Sequence, residues 1–277
     1  ESRRMTDSNI RLKDSAGSPA AWKEKRAAAE KRKPSVLLGK VLYLQNVTVS
    51  FDGFKALDID LFGLYYNELR VVIGPNGAGK TTMCDVISGK TPVTSGHMFW
   101  RGQEIVNVRD IAMSRLGVGR KFQTPSMFDS LTVYENLELA LPERHNLWRN
   151  LWEKTSSEER DKIHQVMGRV HLTDHQDVLA KYLSHGQRQC LEISMLVLAE
   201  PDLLLVDEPA AGLTDNETAL MADLLLELRG QHTIIVIEHD MEFVRRLDAG
   251  VTVLNEGKIM AEGSMNEIQA NADVVEA

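Results

Sequence analysis

The chain has 277 residues, of which 43% are hydrophobic and 26% charged, a balance typical of a globular protein with a sizeable core. Its net charge of −8 is uneven, because residues 1–40 hold eleven Lys and Arg against five Asp and Glu and leave the remainder strongly acidic. This acidity argues against nucleic acid as a partner. We find neither an apolar run of the ~18 residues that cross a bilayer nor the hydrophobic region of a signal peptide.

Residues 1–40 are rich in Ala, Lys and Glu and show no apolar periodicity. This pattern predicts a basic, partly disordered N-terminal extension, and the alternative is an arm that contacts anionic lipid or a protein partner. The folded body is expected to begin near Val41 and to form one domain over residues 41–277.

The first strands are predicted by alternation. Val47, Val49 and Phe51 alternate with polar residues, as in a half-buried strand. Asp52 and Gly53 predict a turn, and residues 56–66 predict one or two further strands.

The stretch from Leu69 to Thr82 joins a short apolar run to a glycine-rich turn that fits G-x-x-x-x-G-K-[ST], the P-loop. Small residues let successive N–H groups point inward, and the following helix adds its positive end, so the pattern predicts binding of a nucleotide polyphosphate. Lys80 would reach the β- and γ-phosphates, and the Thr81 hydroxyl would bind Mg²⁺. The predicted nucleotide-binding residues here are Gly74, Pro75, Asn76, Gly77, Ala78, Gly79, Lys80, Thr81 and Thr82.

From residue 124 to 198 apolar residues recur at three- and four-residue intervals, which predicts a helical subdomain inserted into an α/β core of residues 41–123 and 199–277. Both cysteines, Cys84 and Cys190, fall in segments predicted to be helical, and the favoured interpretation is two buried, reduced thiols.

Three later apolar runs, residues 203–206, 233–237 and 251–254, alternate with helical segments. Strands that alternate with helices after a P-loop predict a mainly parallel, helix-covered sheet. The third run continues through a turn into residues 258–261, which predicts a hairpin.

Asp207 and Glu208 follow the first of these runs and predict a buried strand that ends in two carboxylates. In a P-loop site, a carboxylate at a strand tip can hold Mg²⁺, which is the role expected of Asp207. Glu208 would then accept a proton from the attacking water or orient it. The alternative is a solvated pair of acids.

Just before this strand, Leu183-Ser184-His185-Gly186-Gln187 begins an apolar helix, and Ser184 with Gln187 forms a predicted capping box. At this point the chain resembles the ATP-binding cassette (ABC) family, whose signature reads Leu-Ser-Gly-Gly-Gln. The order of P-loop, Gln123, signature, Asp207-Glu208 and His239 matches that family from about Val41 to the C-terminus. The resemblance implies an ATP-hydrolysing α/β fold: a P-loop NTPase core with a mainly parallel sheet, an N-terminal antiparallel β subdomain and an inserted helical subdomain.

The resemblance also implies roles for single residues. Phe51 would stack on adenine, although its strand pattern equally suits a core residue. Gln123 would link the Mg²⁺ and the water to membrane subunits. His239 would hydrogen-bond the γ-phosphate and position Glu208, although a lone histidine at a strand end is usually structural.

The signature implies a second chain. Ser184, Gly186 and Gln187 would meet the γ-phosphate of ATP bound to a partner cassette, with the same helix N-terminal field that makes a P-loop bind phosphate. The chain departs from the family pattern at His185, which replaces a glycine, and at Thr214, where many members have Asp. Thr214 and Glu217 predict another capping box.

Within the family, the segments that contain Phe51, Ser184 and Thr214 are similar to branched-chain amino acid importers and most similar to the ATPase subunit of urea importers. We therefore expect a bacterial importer ATPase for a small polar solute, with urea first and branched-chain amino acids as the alternative. A soluble single-cassette ATPase of cofactor assembly is the other alternative. The expected cofactors are ATP and Mg²⁺.

The expected partners are a second cassette, identical or related, two transmembrane permease subunits and, indirectly, a periplasmic solute-binding protein. The expected location is cytoplasmic and peripheral, on the inner face of the plasma membrane. The apolar trio Met127, Phe128 and Leu131 could line the permease groove, and ordinary core is the alternative.

Overall fold

The computed structural model describes residues 39–105, 107–120, 127–142 and 156–276. Nearly all of the predicted N-terminal extension, and Gln123, lie outside these ranges. The strands are β1 (Lys40–Phe51), β2 (Phe54–Tyr65), β3 (Leu69–Ile73), β4 (Ser95–Trp100), β5 (Gln103–Glu104), β6 (Val118–Arg120), β7 (Leu203–Asp207), β8 (Thr233–Ile237), β9 (Gly250–Asn255) and β10 (Lys258–Gly263). The helices are α1 (Lys80–Ile87), α2 (Asp110–Arg115), α3 (Val133–Ala140), α4 (Ser157–Arg169), α5 (His185–Leu198), α6 (Asp215–Leu228), α7 (Met241–Leu247), α8 (Met265–Ala270) and α9 (Ala272–Glu276).

A four-stranded antiparallel sheet of order β2-β1-β4-β5 forms the N-terminal β subdomain. Val47 and Val49 on β1 are buried, as their alternation predicts. Asp52 and Gly53 connect β1 to β2 with φ angles of 48° and 88°. Both residues are left-handed, as a two-residue hairpin turn of this hand requires.

A six-stranded sheet of order β10-β9-β3-β8-β7-β6 carries the site. Its strands are parallel except β10, which pairs with β9 in the predicted hairpin. Because the strands run in one direction, the carboxyl ends of β3, β7 and β8 lie side by side. The fold is therefore the expected mixed α/β cassette.

Alternation along the central strands divides the core between the two faces of this sheet. Leu69, Val71 and Ile73 on β3 pack in one cluster with α3, α4, α5 and α6. Val72 points to the other cluster, which contains α1 and the antiparallel sheet. Strands buried on both faces explain the continuous apolar runs in the sequence.

The described part of residues 124–198 is mainly helical. The apolar period suggests a helix that already includes Leu131. The capping box of Thr132 and Glu135 instead begins α3 at Val133. Ile163 and Met167 on α4 are buried in the same cluster as Leu137 on α3. Within the four described ranges, no helix combines the length and apolarity that a bilayer crossing requires.

Both cysteines lie in helices and are buried thiols outside any disulfide, as predicted. Burial raises the pKa of Cys84 on α1 to about 12, so at neutral pH this thiol is protonated and unreactive.

Candidate functional site

Glycine is required at two points of the loop between β3 and α1. Gly74 has a φ of 151°, and a Cβ there would collide with the backbone oxygen of Leu254. Gly79 has a φ of 99°, and a Cβ there would lie 2.8 Å from the backbone oxygen of Ala56. The loop therefore packs tightly against the backbones of β9 and β2, while the space around Gly77 is open.

Lys80 places its charge inside the loop. The residue is only 8% exposed, and its Nζ donates to the carbonyl oxygens of Gly74 at 2.7 Å and of Pro75 at 3.0 Å. Among the described residues no side chain caps the first turn of α1, and no acidic residue lies in that turn. The N–H groups of this turn and the Lys80 ammonium group are therefore suited to binding a polyphosphate.

Asp207 and Glu208 lie at the tip of β7, as predicted. The Asp207 side chain is buried, and its Oδ2 lies 3.9 Å from Nη2 of Arg120 on β6. Arg120 also contacts the carboxylate of Asp85 on α1 and donates to Ser88 Oγ at 3.1 Å. Arg120 thus links the P-loop helix to the strand tip.

His239 follows β8, the neighbour of β7, and its Nδ1 lies 3.5 Å from Oε1 of Glu208. Both side chains are more than one third exposed, so they face the open side of the site. Glu208 has a φ of 47°, in the left-handed region. The sheet therefore brings Glu208 and His239 together, although 31 positions separate them in the sequence.

The signature segment forms the predicted capping box. Ser184 Oγ accepts from Gln187 N at 3.2 Å, and Gln187 Oε1 accepts from Ser184 N at 2.9 Å. Ser184 Oγ also donates to Glu217 Oε1 at 3.1 Å. A Cβ on Gly186 would collide with the Glu217 carboxyl group, so glycine permits this approach of α5 to α6.

The chain does not join its own signature to its own P-loop. In the described ranges, the hydrogen bonds of Ser184 and Gln187 lead to α5, to Glu217 and to His175, and none leads to the loop before α1. The signature N-terminus is exposed. The N-terminal end of α5 therefore faces solvent.

The two departures from the family pattern lie at the starts of two helices, His185 at α5 and Thr214 at α6. His185 is the first residue of α5, and its Nε2 donates to the backbone oxygen of Ala211, in the loop after β7, at 3.1 Å. Thr214 caps α6 with Glu217, as predicted. The backbone N–H of Thr214 and then its hydroxyl hold the pKa of Glu217 below its ordinary value.

Phe51 ends β1 with 52% of its surface exposed, so it is not a core residue. Gln123 lies outside the described residues. In those ranges no group of three or more His, Cys, Asp or Glu side chains forms a metal site. The Thr81 hydroxyl and the Asp207 carboxylate are nevertheless suitable Mg²⁺ ligands, because this ion takes one or two protein oxygens together with nucleotide phosphates.

The sequence patterns do not reveal Arg120 or Glu238. Arg120 lies in a short strand within a region of turns, and the sequence around it predicts no role for a basic residue. Glu238 is buried and accepts backbone N–H bonds from Ala210 and His239. A carboxylate directly after four consecutive apolar residues is the one available signal.

Residues 57–211 match the model of the family described as ABC transporter. The chain is 34% identical over 246 residues to the high-affinity branched-chain amino acid transport ATP-binding protein LivG of Escherichia coli, covering 86% of this chain and 96% of LivG. It is also 34% identical over 249 residues to the high-affinity branched-chain amino acid transport ATP-binding protein BraF of Pseudomonas aeruginosa, covering 86% of this chain and 96% of BraF.

The fold also matches a solved nucleotide-free ATP-binding cassette from an ABC transporter, with a TM-score of 0.74, 28% identity and coverage of 86% of this chain and 98% of that one. The names of these relatives give the expectation of urea no support. With its P-loop, strand-tip carboxylates and signature helix in one cassette fold, the chain belongs to the ABC transporter family as an ATP-binding subunit and is an ATPase.

Proposed function

We propose that this chain is the ATPase subunit of an importer for branched-chain amino acids. The observation that carries the proposal is the 34% identity to LivG, over 86% of this chain and 96% of LivG. This favours the branched-chain alternative over urea, which rests on sequence resemblance alone.

We propose the following roles in the site. The P-loop from Gly74 to Thr82 binds the phosphates of ATP, with Lys80 at the β- and γ-phosphates, and Phe51 stacks on adenine. The support is the buried Lys80 charge, the uncapped first turn of α1 and the exposed ring of Phe51. Glu208 orients or deprotonates the attacking water, and His239 positions Glu208 and contacts the γ-phosphate.

Thr81, Asp207 and Gln123 would hold Mg²⁺, which when bound neutralises charge on the phosphates. The buried Asp207 carboxylate at the strand tip supports this assignment. Gln123 enters it only by its place in the sequence.

The outward-facing signature supports a head-to-tail dimer. Ser184, Gly186 and Gln187 of one chain would complete the P-loop site of a second cassette, identical or related. Ser184 Oγ already donates to an anionic oxygen of Glu217. The γ-phosphate of the partner's ATP would offer the same kind of acceptor.

Two permease subunits and, through them, a solute-binding protein are the further partners that we propose, with the chain cytoplasmic and peripheral on the inner membrane. Of the three apolar candidates for permease docking, Met127 is buried, Leu131 is half-buried and Phe128 is 55% exposed. Asn136 accepts from Phe128 N at 2.8 Å and donates to its carbonyl oxygen at 3.1 Å. Phe128 is therefore the residue that we propose for docking, on the helical subdomain of residues 124–198.

The experiment is uptake of labelled leucine and labelled urea by cells that lack this chain, complemented with the wild type or with Glu208→Gln. We expect leucine uptake to be lost on disruption and restored only by the wild type. Loss of urea uptake alone would favour the urea importer. Unchanged uptake of both solutes, with co-purification of soluble partners only, would favour an ATPase of cofactor assembly.

A further inference from the structure

Glu238 lies where three neighbouring parallel strands end. It follows β8 directly, and its backbone N–H donates to the carbonyl oxygen of Val72 on β3 at 3.2 Å. Its side chain is 1% exposed. Since β3 leads to the P-loop and β7 leads to Glu208, the Glu238 carboxyl group lies at the base of the site.

Both carboxyl oxygens of Glu238 accept backbone N–H groups, and they do so from two different segments. Oε1 accepts from Ala210, two residues after Glu208, at 2.8 Å. Oε2 accepts from His239 at 3.0 Å and from Asp240 at 3.4 Å. One buried side chain therefore joins the segment that carries Glu208 to the segment that carries His239.

These bonds are not needed to begin the helix that follows. The cap of α7 is Asp240, whose Oδ1 accepts from Glu242 N at 2.8 Å and from Phe243 N at 3.2 Å. The bond from Ala210 to Glu238 spans 28 positions and does not involve α7. Its effect is to fix the two loops relative to each other.

Glu208 needs such support because its backbone is left-handed, with a φ of 47°. This conformation is costly for a residue with a side chain and persists only where its surroundings hold it. On one side, Glu208 N donates to the carbonyl oxygen of Ile237 at 3.0 Å. Two residues further on, the bond from Ala210 to Glu238 holds the chain again.

We propose that Glu238 is a positioning residue for ATP hydrolysis, which holds Glu208 and His239 in register by binding the backbone of both segments. The inference rests on the roles proposed above for Glu208 and His239. Displacement of a group that acts on the reacting atoms by about 1 Å can lower a rate by about a hundredfold, so the bonds of Glu238 have a kinetic consequence.

Glu238→Gln tests the proposal. The amide keeps the shape of the side chain but has one acceptor oxygen, so either Ala210 or the pair His239 and Asp240 loses its acceptor. We expect kcat to fall by about ten- to a hundredfold, while KM and the equilibrium affinity for ATP change by less than about twofold.

Three variants complete the experiment. Glu242→Gln removes the same charge from an exposed position on α7 and should leave kcat unchanged. Glu238→Asp keeps both oxygens with a shorter reach and should lower kcat with the same unchanged affinity; it decides the matter if Glu238→Gln does not fold. In a Glu208→Gln background, Glu238→Gln should cause no further loss, because the group that it positions is already gone.

Wild-type kcat in the folded Glu238 variants, or a loss of ATP affinity in proportion to the loss of kcat, would overturn this inference and leave the role proposed for Glu208 intact. Wild-type turnover by Glu208→Gln would overturn the role proposed for Glu208 and this inference with it.

Discussion

The imidazole Nδ1 of His239 lies 3.5 Å from Oε1 of Glu208, across the neighbouring ends of β8 and β7. The two residues are 31 positions apart in the sequence, and the pairing of two parallel strands brings them together. Their separation is just beyond the usual hydrogen-bonding range.

The first prediction concerns Glu208. Glu208→Gln should bind ATP but release phosphate about 10² to 10⁴ times more slowly, because the amide cannot accept a proton from water. Phosphate release and nucleotide binding are the measurements, and gel filtration with ATP should show the variant as a dimer. Glu200→Gln, at an exposed position paired with Lys162, is the matched control. Wild-type turnover, or a monomer in the presence of ATP, would contradict the prediction.

The second prediction concerns Lys80, whose Nζ lies inside the P-loop. Lys80→Ala should weaken ATP binding by about 2 kcal/mol, or roughly thirtyfold in the dissociation constant, because a charge-assisted bond to phosphate is lost. Titration with a fluorescent ATP analogue measures the effect. Lys90→Ala removes an exposed lysine that lies 3.6 Å from Asp85 and should bind ATP normally. Equal affinities of the two variants would refute the role of Lys80.

The third prediction compares two helical glycines. Gly168→Ala on α4 has open space around its new Cβ and should stabilise the fold by about 0.5–1 kcal/mol. Gly186→Ala on α5 should instead destabilise by about 1 kcal/mol, because its Cβ displaces Glu217 and weakens the cap of α6. Urea unfolding measures both.

A double mutant tests the cause of that difference. In a Glu217→Ala background, the displaced carboxyl group is absent, so the cost of Gly186→Ala should largely disappear. If Gly186→Ala destabilised the Glu217→Ala variant as much as the wild type, the contact with Glu217 would not be the source of the strain.

The fourth prediction is a pH dependence at Glu217, whose pKa in the folded state is lowered by the Thr214 N–H, the Thr214 hydroxyl and Ser184. A lowered folded-state pKa stabilises the protein above the unfolded-state pKa, and this contribution is lost as the pH falls through the folded-state value. The free energy of unfolding of the wild type should therefore exceed that of Glu217→Gln more at pH 7 than at pH 3. Chemical denaturation at both pH values measures this, and an equal difference at both would exclude the carboxylate as its source.

Features that depend on neighbours in the sequence were predictable. The Ser184 and Thr214 capping boxes join residues three positions apart, so the residue types alone identify them. The turn at Asp52 and Gly53, the strand before Asp207 and the P-loop before Lys80 are local in the same sense.

Longer contacts were not predictable in this way. The carboxyl group of Glu238 accepts the backbone N–H of Ala210, which is 28 positions away in the sequence. The guanidinium group of Arg120 donates to the hydroxyl of Ser88, which is 32 positions away. The solute expected from sequence resemblance was urea, whereas the names of the matched relatives favour branched-chain amino acids.

The sequence by itself determined the cassette family, because the order of its motifs can be followed along the chain. It also determined the P-loop and the two strand-end carboxylates, because each is set by residue types at short spacing. Only the tertiary structure decided that His239 meets Glu208, that Phe51 is exposed and that Glu238 joins two loops. The physical reason is that parallel strands bring together residues whose separation along the chain is set by the intervening helices, and no local pattern encodes which side chains then meet.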